Sequence, residues 1–175
     1  MTHSKFYSAT GDHGDTARLG GDVRLSKSSP LMEAVGVVDE ATSAIGMARA
    51  LAQEPAIKEA LSMVQVHLSR LMAHLSAMPD ARKRYPGLRE DDVAWLEARV
   101  AQFEAGLPPL RAFVLPGDSL PGAALHVART AVRRAERRVV ACAEAEPGIG
   151  AANLAYLNRL SSLLFVMALR EDRSS

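Results

Sequence analysis

Arg129, Arg133, Glu136 and Arg137 are spaced i, i+4, i+7 and i+8, so on a helix they stack along one flank. Guanidiniums one turn apart make a fork for phosphate, and a carboxylate beside them can hold them in place. Arg134 and Arg138 fall elsewhere around the same helix. At about 100° per residue, Leu125, Ala128, Ala131, Val132, Ala135, Val139, Cys142 and Ala143 share a broad arc that should face a core. A solvated, salt-bridged face is the plainer reading of such a helix, and at this point both readings stand.

The first thirty residues have a different composition. From Ser8 to Pro30 the chain is dense in Gly, Ser, Thr and Asp, and it places Thr10-Gly11-Asp12, Gly14, Thr16, Gly20-Gly21 and Ser26-Lys27 in that order. Glycines let backbone N–H groups close around an anion, hydroxyls add donors, and a lysine adds a point charge. This is a candidate phosphate-holding loop, although Lys27 does not follow a glycine into a Ser/Thr-led helix as in a P-loop. A loose N-terminal arm is the alternative.

Five helices must position these groups. Pro30 can open the first, capped by Ser28 or Ser29, with Met32, Val35, Val38, Ile45 and Ala48 among small residues as far as Gln53. Asp39 and Glu40 lie in its middle, either solvated or paired with an arginine that would lower the carboxyl pKa. A second helix runs from Ala56 to Met78. Its His67 and His74 share a face, but their spacing of seven suits packing or surface roles rather than chelation. Pro79 to Arg89 reads as a polar, mobile connection.

Asp91 or Asp92 caps a third helix to about Glu104, with Val93, Leu96, Val100 and Phe103 inward. Gly106 to Gly122 is a Pro/Gly-rich loop whose Phe113-Val114-Leu115 must be buried, either under the bundle or as an apolar wall for a flat ligand. The arginine helix follows and stops near Pro147-Gly148. A last helix spans about Ala151 to Arg170 with Asn158 and Arg159 in its midst, and the tail Glu171 to Ser175 should fray. No segment reads as a strand, so an all-α antiparallel five-helix bundle is the economical fold. We take 1–175 as one domain, with 1–29 as the loop and 30–172 as the bundle.

The bulk numbers agree. The 175 residues are 48% hydrophobic, 23% charged and 5% aromatic, with a formal net charge of +1 and a single cysteine. That length can bury a full core, while one cysteine excludes an internal disulfide and no Cys/His cluster has zinc-like spacing. Near-neutral charge argues against a nucleic-acid partner. The start, Met1 to Lys5, lacks the apolar stretch of a signal peptide, and no apolar run reads as long enough for a bilayer, so the expected location is cytoplasmic without membrane contact.

Taken together, Thr10-Gly-Asp-His-Gly14, Gly20-Gly21, Ser26-Lys27, Glu33-Ala34 leading to Val38-Asp-Glu40, Phe113-Val-Leu-Pro-Gly117, Ala128-Arg-Thr-Ala-Val-Arg-Arg-Ala-Glu-Arg137 and Leu157-Asn-Arg-Leu-Ser161 resemble the PduO-type ATP:cob(I)alamin adenosyltransferases. The match covers nearly the whole chain in order. The resemblance implies a five-helix bundle, a homotrimer with active sites between subunits, and transfer of the 5′-deoxyadenosyl group of ATP to cob(I)alamin with release of triphosphate. It assigns Thr10, Gly11, Asp12, Gly14, Thr16 and Lys27 to the loop over ATP, and Arg133, Arg134, Glu136, Arg137 and Asn158 to the nucleotide site. Arg129 and Asp39 match a salt bridge across the subunit interface, and Phe113 the aromatic against the lower corrin face. Mg²⁺ would accompany ATP, with no protein metal site. A cobalamin reductase and an adenosylcobalamin-dependent acceptor enzyme are the implied partners.

The sequence departs from that pattern at Ala9, where many relatives carry Arg or Lys. It departs again at Asp118 and Ser162, and in one extra residue between Gly20-Gly21 and Ser26-Lys27. On the same fold, a non-catalytic carrier or sensor holding ATP or adenosylcobalamin is the main rival; a nucleic-acid-binding bundle is the weaker one.

Overall fold

The computed structural model describes residues 9–174. Met1 to Ser8 and Ser175 lie outside them, including the start read above for a signal peptide and the first residue of the glycine-rich stretch. Five long helices carry the chain: α1 (Pro30–Leu51), α2 (Pro55–Ser76), α3 (Glu90–Glu104), α4 (Leu120–Ala145) and α5 (Ala151–Ser174). Their starts follow local chemistry. Ser29 accepts from the Met32 N–H ahead of α1, and Ser119 from the Gly122 N–H ahead of α4, with proline in the first turn of each.

Helix α1 packs on α4 and α2, α4 on α5, and α5 on α3. The buried stripes of α1 and α4 are rich in alanine, among them Ala34, Ala41, Ala48, Ala128 and Ala135, which lets helix axes approach closely. Successive helices reverse direction, so α3 and its neighbour α5 run parallel: Arg159 bonds Glu97 and Arg170 bonds the Ala105 carbonyl. The bundle has two ends. At one lie the C-termini of α2 and α4. At the other, α4 begins beside the C-terminus of α5.

Five expectations need correction. The glycine-rich segment does contain strands, β1 (Asp15–Ala17) and β2 (Arg24–Ser26), paired antiparallel with Thr16 opposite Leu25; three residues each are too few to show alternation. Neither Asp91 nor Asp92 is the cap of α3. Arg89 holds that position, and Asp92 reaches back from the first turn to accept its N–H at 2.8 Å. The connection after α2 is pinned, since Ala81, Arg82 and Leu88 are buried and Arg82 bonds Glu146.

The chain's end does not fray before Ser174. Glu171 is buried and accepts the backbone N–H groups of Gln53 and Glu54 ahead of α2, an anion at a helix N-terminus. Finally, α5 is long and apolar enough to cross a membrane by composition alone, but most of that stretch is buried inside the bundle.

His67 and His74 both face inward. The His67 Nδ1 lies 2.9 Å from the buried Tyr156 hydroxyl and its Nε2 3.4 Å from Asp92, with Trp95 edge-on to the ring. Burial pushes His67 below its ordinary pKa, which suits a neutral ring accepting from Tyr156 and donating to Asp92.

Candidate functional site

The arginines of α4 separate into two flanks, as their angular positions require. Arg134 and Arg138 turn toward α1, where they pair with Glu40 and Glu33. Arg129, Arg133 and Arg137 turn toward α5, where among the described residues none of them pairs with a carboxylate. Glu136 shares that flank, but one of its oxygens accepts from the Asn158 amide at 2.9 Å. Arg137 donates to the Arg133 carbonyl at 3.1 Å. Arg129 donates through Nε to His126 Nδ1 at 3.3 Å and lies 6.0 Å over the Phe165 ring.

These residues line a groove of joined depressions. One is formed by Arg133, Glu136, Arg137, Val140 and Asn158. Arg133 links it to a second, with Arg129, Ser161, Ser162 and Phe165. Phe165 and Val166 link that to a third below Leu107 to Leu110. Leu169 then opens the largest, about 730 Å³, walled by the loop from Leu107 to Leu115. One end of the groove is therefore cationic and the other apolar.

The apolar end also settles the loop after α3. Phe113 is 87% exposed and Leu115 73% exposed, so the loop does not tuck this run beneath the bundle. An aromatic left in water with a groove behind it is a surface for another molecule.

The glycine-rich hairpin sits at the opposite end of the bundle. Leu19 pairs with Ala77, and Arg18 bonds both the Ala77 carbonyl and Glu146. Gly20 has φ +83° and lies so close to Ala81 that a Cβ would meet its methyl at 2.4 Å, so only glycine lets the hairpin dock there. Arg24 clamps Asp15 at 2.8 and 2.9 Å and the Thr10 carbonyl at 2.6 Å; the bond from Arg24 holds the Asp15 carboxyl below its ordinary pKa. Lys27 Nζ caps the Gly11 carbonyl at 2.7 Å.

None of the four joined depressions is lined by a hairpin residue. The 26 residues of α4, roughly 39 Å at 1.5 Å each, separate the start of the Phe113 wall from the hairpin's anchor at Glu146. The sequence-derived residues thus fall into three places. Arg129, Arg133, Glu136, Arg137, Asn158 and Phe113 share the groove; Thr10, Gly11, Asp12, Gly14, Thr16 and Lys27 share the hairpin; Asp39 is exposed on the α1 flank, where Arg134 also turns. His126, which touches Arg129, was missed, although its i, i+3 spacing to that arginine was visible.

The sequence profile described as cobalamin adenosyltransferase matches residues 6–171. The chain belongs to that family. Among relatives of the adenosyltransferase family, the corrinoid adenosyltransferase of Bacillus subtilis is 41% identical over 168 residues, 94% of this chain and 84% of its own. The corrinoid adenosyltransferase PduO of Citrobacter freundii is 37% identical over 172 residues; they cover 97% of this chain but only 50% of that protein. A variant PduO-type ATP:corrinoid adenosyltransferase from Lactobacillus reuteri, complexed with cobalamin and ATP, superposes with a TM-score of 0.86 at 32% identity, covering 94% of this chain and 91% of the other. No group of three or more His, Cys, Asp or Glu side chains among the described residues is arranged to hold a metal ion.

Proposed function

We propose that the groove takes ATP at its arginine end and a corrinoid at its Phe113 end, and that the chain transfers the 5′-deoxyadenosyl group of ATP to cob(I)alamin, yielding adenosylcobalamin and triphosphate. The observation that carries this reading is the run of three guanidiniums without carboxylate partners, continuous with an exposed apolar wall. A triphosphate is a ligand for the first, and the flat face of a macrocycle for the second.

The reaction is a substitution at the ribose C5′. A cobalt–carbon bond forms as the carbon–oxygen bond breaks, and the electron pair leaves on triphosphate. The protein needs no covalent nucleophile for this. Its work is alignment and stabilisation of the charge growing on the leaving group. Arg129, Arg133 and Arg137 supply positive charge there, while the Glu136–Asn158 bond fixes the groove between the two helices. Phe113 lies against the lower corrin face and keeps it dry. Mg²⁺ bound with ATP would add positive charge on the phosphates beside that of Arg129, Arg133 and Arg137.

A second copy completes the site. In one chain no hairpin residue lines the arginine end of the groove and Asp39 is exposed on the α1 flank, so a neighbouring copy brings its hairpin over the phosphates and its Asp39 to Arg129. This supports the homotrimer with sites between subunits. A reductase must deliver cob(I)alamin, and an adenosylcobalamin-dependent enzyme must accept the product; the cytoplasm is the compartment in which we place this exchange.

The test is an anaerobic assay with ATP, Mg²⁺ and chemically reduced cob(I)alamin, followed in the visible spectrum. Protein-dependent formation of a light-sensitive cobalt–carbon bond is expected. Ligand binding without product would favour the carrier. Phe113→Ala should lower turnover at least tenfold with the ATP Kd kept within about threefold, because the wall touches only the corrinoid.

A further inference from the structure

Arg129 is held differently from the other groove arginines. It spends its Nε–H on a neutral acceptor, His126 Nδ1 at 3.3 Å, which leaves both Nη groups for a ligand of the groove. His126 is itself only 3% exposed and meets Phe165 edge-on at 5.9 Å, the same ring that Arg129 covers at 6.0 Å. Imidazole and guanidinium therefore brace one aromatic side chain in the wall of the groove.

A neutral imidazole whose Nδ1 accepts carries its proton on Nε2. That Nε2 is buried and has no partner among the described residues, and neither has Asp172 Oδ2. The other oxygen of Asp172 accepts the Ser119 hydroxyl at 2.6 Å, against the first turn of α4, where a Cβ on Gly122 would lie 1.9 Å from it. Arg129 from α4 and Asp172 from α5 are the charged groups acting on the ring.

We propose that His126 is a positioning residue for the transfer: as a neutral acceptor it fixes the plane of the Arg129 guanidinium so that its Nη groups meet what enters the groove, the ligand and the neighbouring copy's Asp39. This rests on the reading of the groove given above. The acceptor role has a pH consequence. Burial chiefly, and then Arg129, hold His126 below its ordinary pKa, with Asp172 opposing. At neutral pH the ring is therefore the acceptor. Protonation in acid would turn Nδ1 into a donor facing the Arg129 Nε–H and break the contact.

The experiment compares His126→Asn with His126→Leu. The Asn Oδ1 can stand where Nδ1 stands and does not titrate; Leu removes the acceptor but keeps the volume apolar. With circular dichroism matching the wild type, His126→Leu should lose at least tenfold in kcat with KM for ATP within about threefold. His126→Asn should stay within about threefold of wild-type kcat and lose the acid limb of the wild-type pH profile. Equal impairment of both variants, or full activity of His126→Leu, would overturn the proposal.

A readout independent of turnover separates it from the functional reading. In the wild type the Arg129 Nε–H should exchange with solvent at least tenfold more slowly than that of the exposed Arg111. That protection should vanish in His126→Leu and persist in His126→Asn. Protection without any adenosylcobalamin formation would sink the reading of the groove and leave the His126–Arg129 contact; turnover without protection would sink the contact alone.

Discussion

The two flanks of α4 carry the same residue at the same spacing and end in opposite states. Toward α1, Arg134 and Arg138 meet Glu40 and Glu33. Toward α5, Arg129, Arg133 and Arg137 meet a histidine, an asparagine, serines and a phenylalanine; of the carboxylates that line this part of the groove, Glu136 already accepts from Asn158, and Glu104 of α3 makes no ion pair with these arginines among the described residues. The difference lies in what the facing helix supplies. A flank whose neighbour provides carboxylates is a solvated seam. A flank on which no guanidinium is paired with a carboxylate keeps a positive potential that a polyanion can use. The salt-bridged reading that an arginine-rich helix invites is realised on the α1 flank, and the α5 flank is left for the phosphate reading proposed above.

Substitutions can break that comparison or sharpen it. The largest expected effect is on the open flank. Arg133→Ala should cut kcat/KM for ATP by about 100-fold, near 2.7 kcal/mol of transition-state stabilisation, with little change in Tm because the side chain is exposed. If Arg134→Ala on the paired flank were equally damaging, the comparison would fail.

Next comes a third kind of arginine. Arg18 and Arg82 are both close to fully buried and share a single oxygen of Glu146 at 2.7 Å each. Glu146→Gln would leave two buried guanidiniums without their anion and loosen the anchor of the hairpin. We expect a loss of about 2 kcal/mol in urea unfolding, together with a rise in KM for ATP. Unchanged stability would show that this pairing is as dispensable as a surface one.

Arg70 on α2 lies between these extremes, bonded twice to Asp92 at 3.0 Å. Burial alone would push the Asp92 carboxyl up, but the Arg70 bonds and the Arg89 N–H outweigh it and hold the group below its ordinary value. A depressed carboxyl pKa contributes stability that is complete above the unfolded value, about 3.9, and is lost as pH falls through the folded value. Urea midpoints should therefore fall from pH 5 toward pH 2.5 in the wild type. Asp92→Asn should cost about 1.5 kcal/mol at pH 7 and show a shallower acid slope.

The smallest effect belongs to the paired flank. Arg138 is 57% exposed in its side chain and 3.6 Å from Glu33, so Arg138→Ala should alter stability by less than about 0.5 kcal/mol. A larger loss would mean that this seam contributes more than exposed pairs usually do.

Much of the architecture was legible because helical periodicity writes burial into spacing. The arc from Leu125 to Cys142 that should face a core does so, and the division of arginines between flanks follows from 100° per residue. The groove's polar members on α4 were visible as residue types at helical spacing, and Asn158 through the family resemblance. The hairpin strands were not, since three residues carry no alternation to read. Glu171 was read as a fraying tail because nothing local to it shows that the N-terminus of α2, more than a hundred residues away in the chain, waits for an anion. For Phe113 the spacing left two readings open, a run tucked under the bundle or a wall for a flat ligand, because a loop carries no periodicity to say which way its side chains face.

By itself, then, the sequence determined the five helices, their order, the faces they bury and the family to which the chain belongs, because each rests on local spacing or on motifs kept in order along the chain. Only the tertiary structure decided which arginines are neutralised, that the Phe113 wall faces water, that His126 holds Arg129, and that the hairpin and the groove lie apart in one chain. Those outcomes depend on which side chains distant segments bring opposite one another, and charge neutralisation and burial are properties of such pairs rather than of any residue alone.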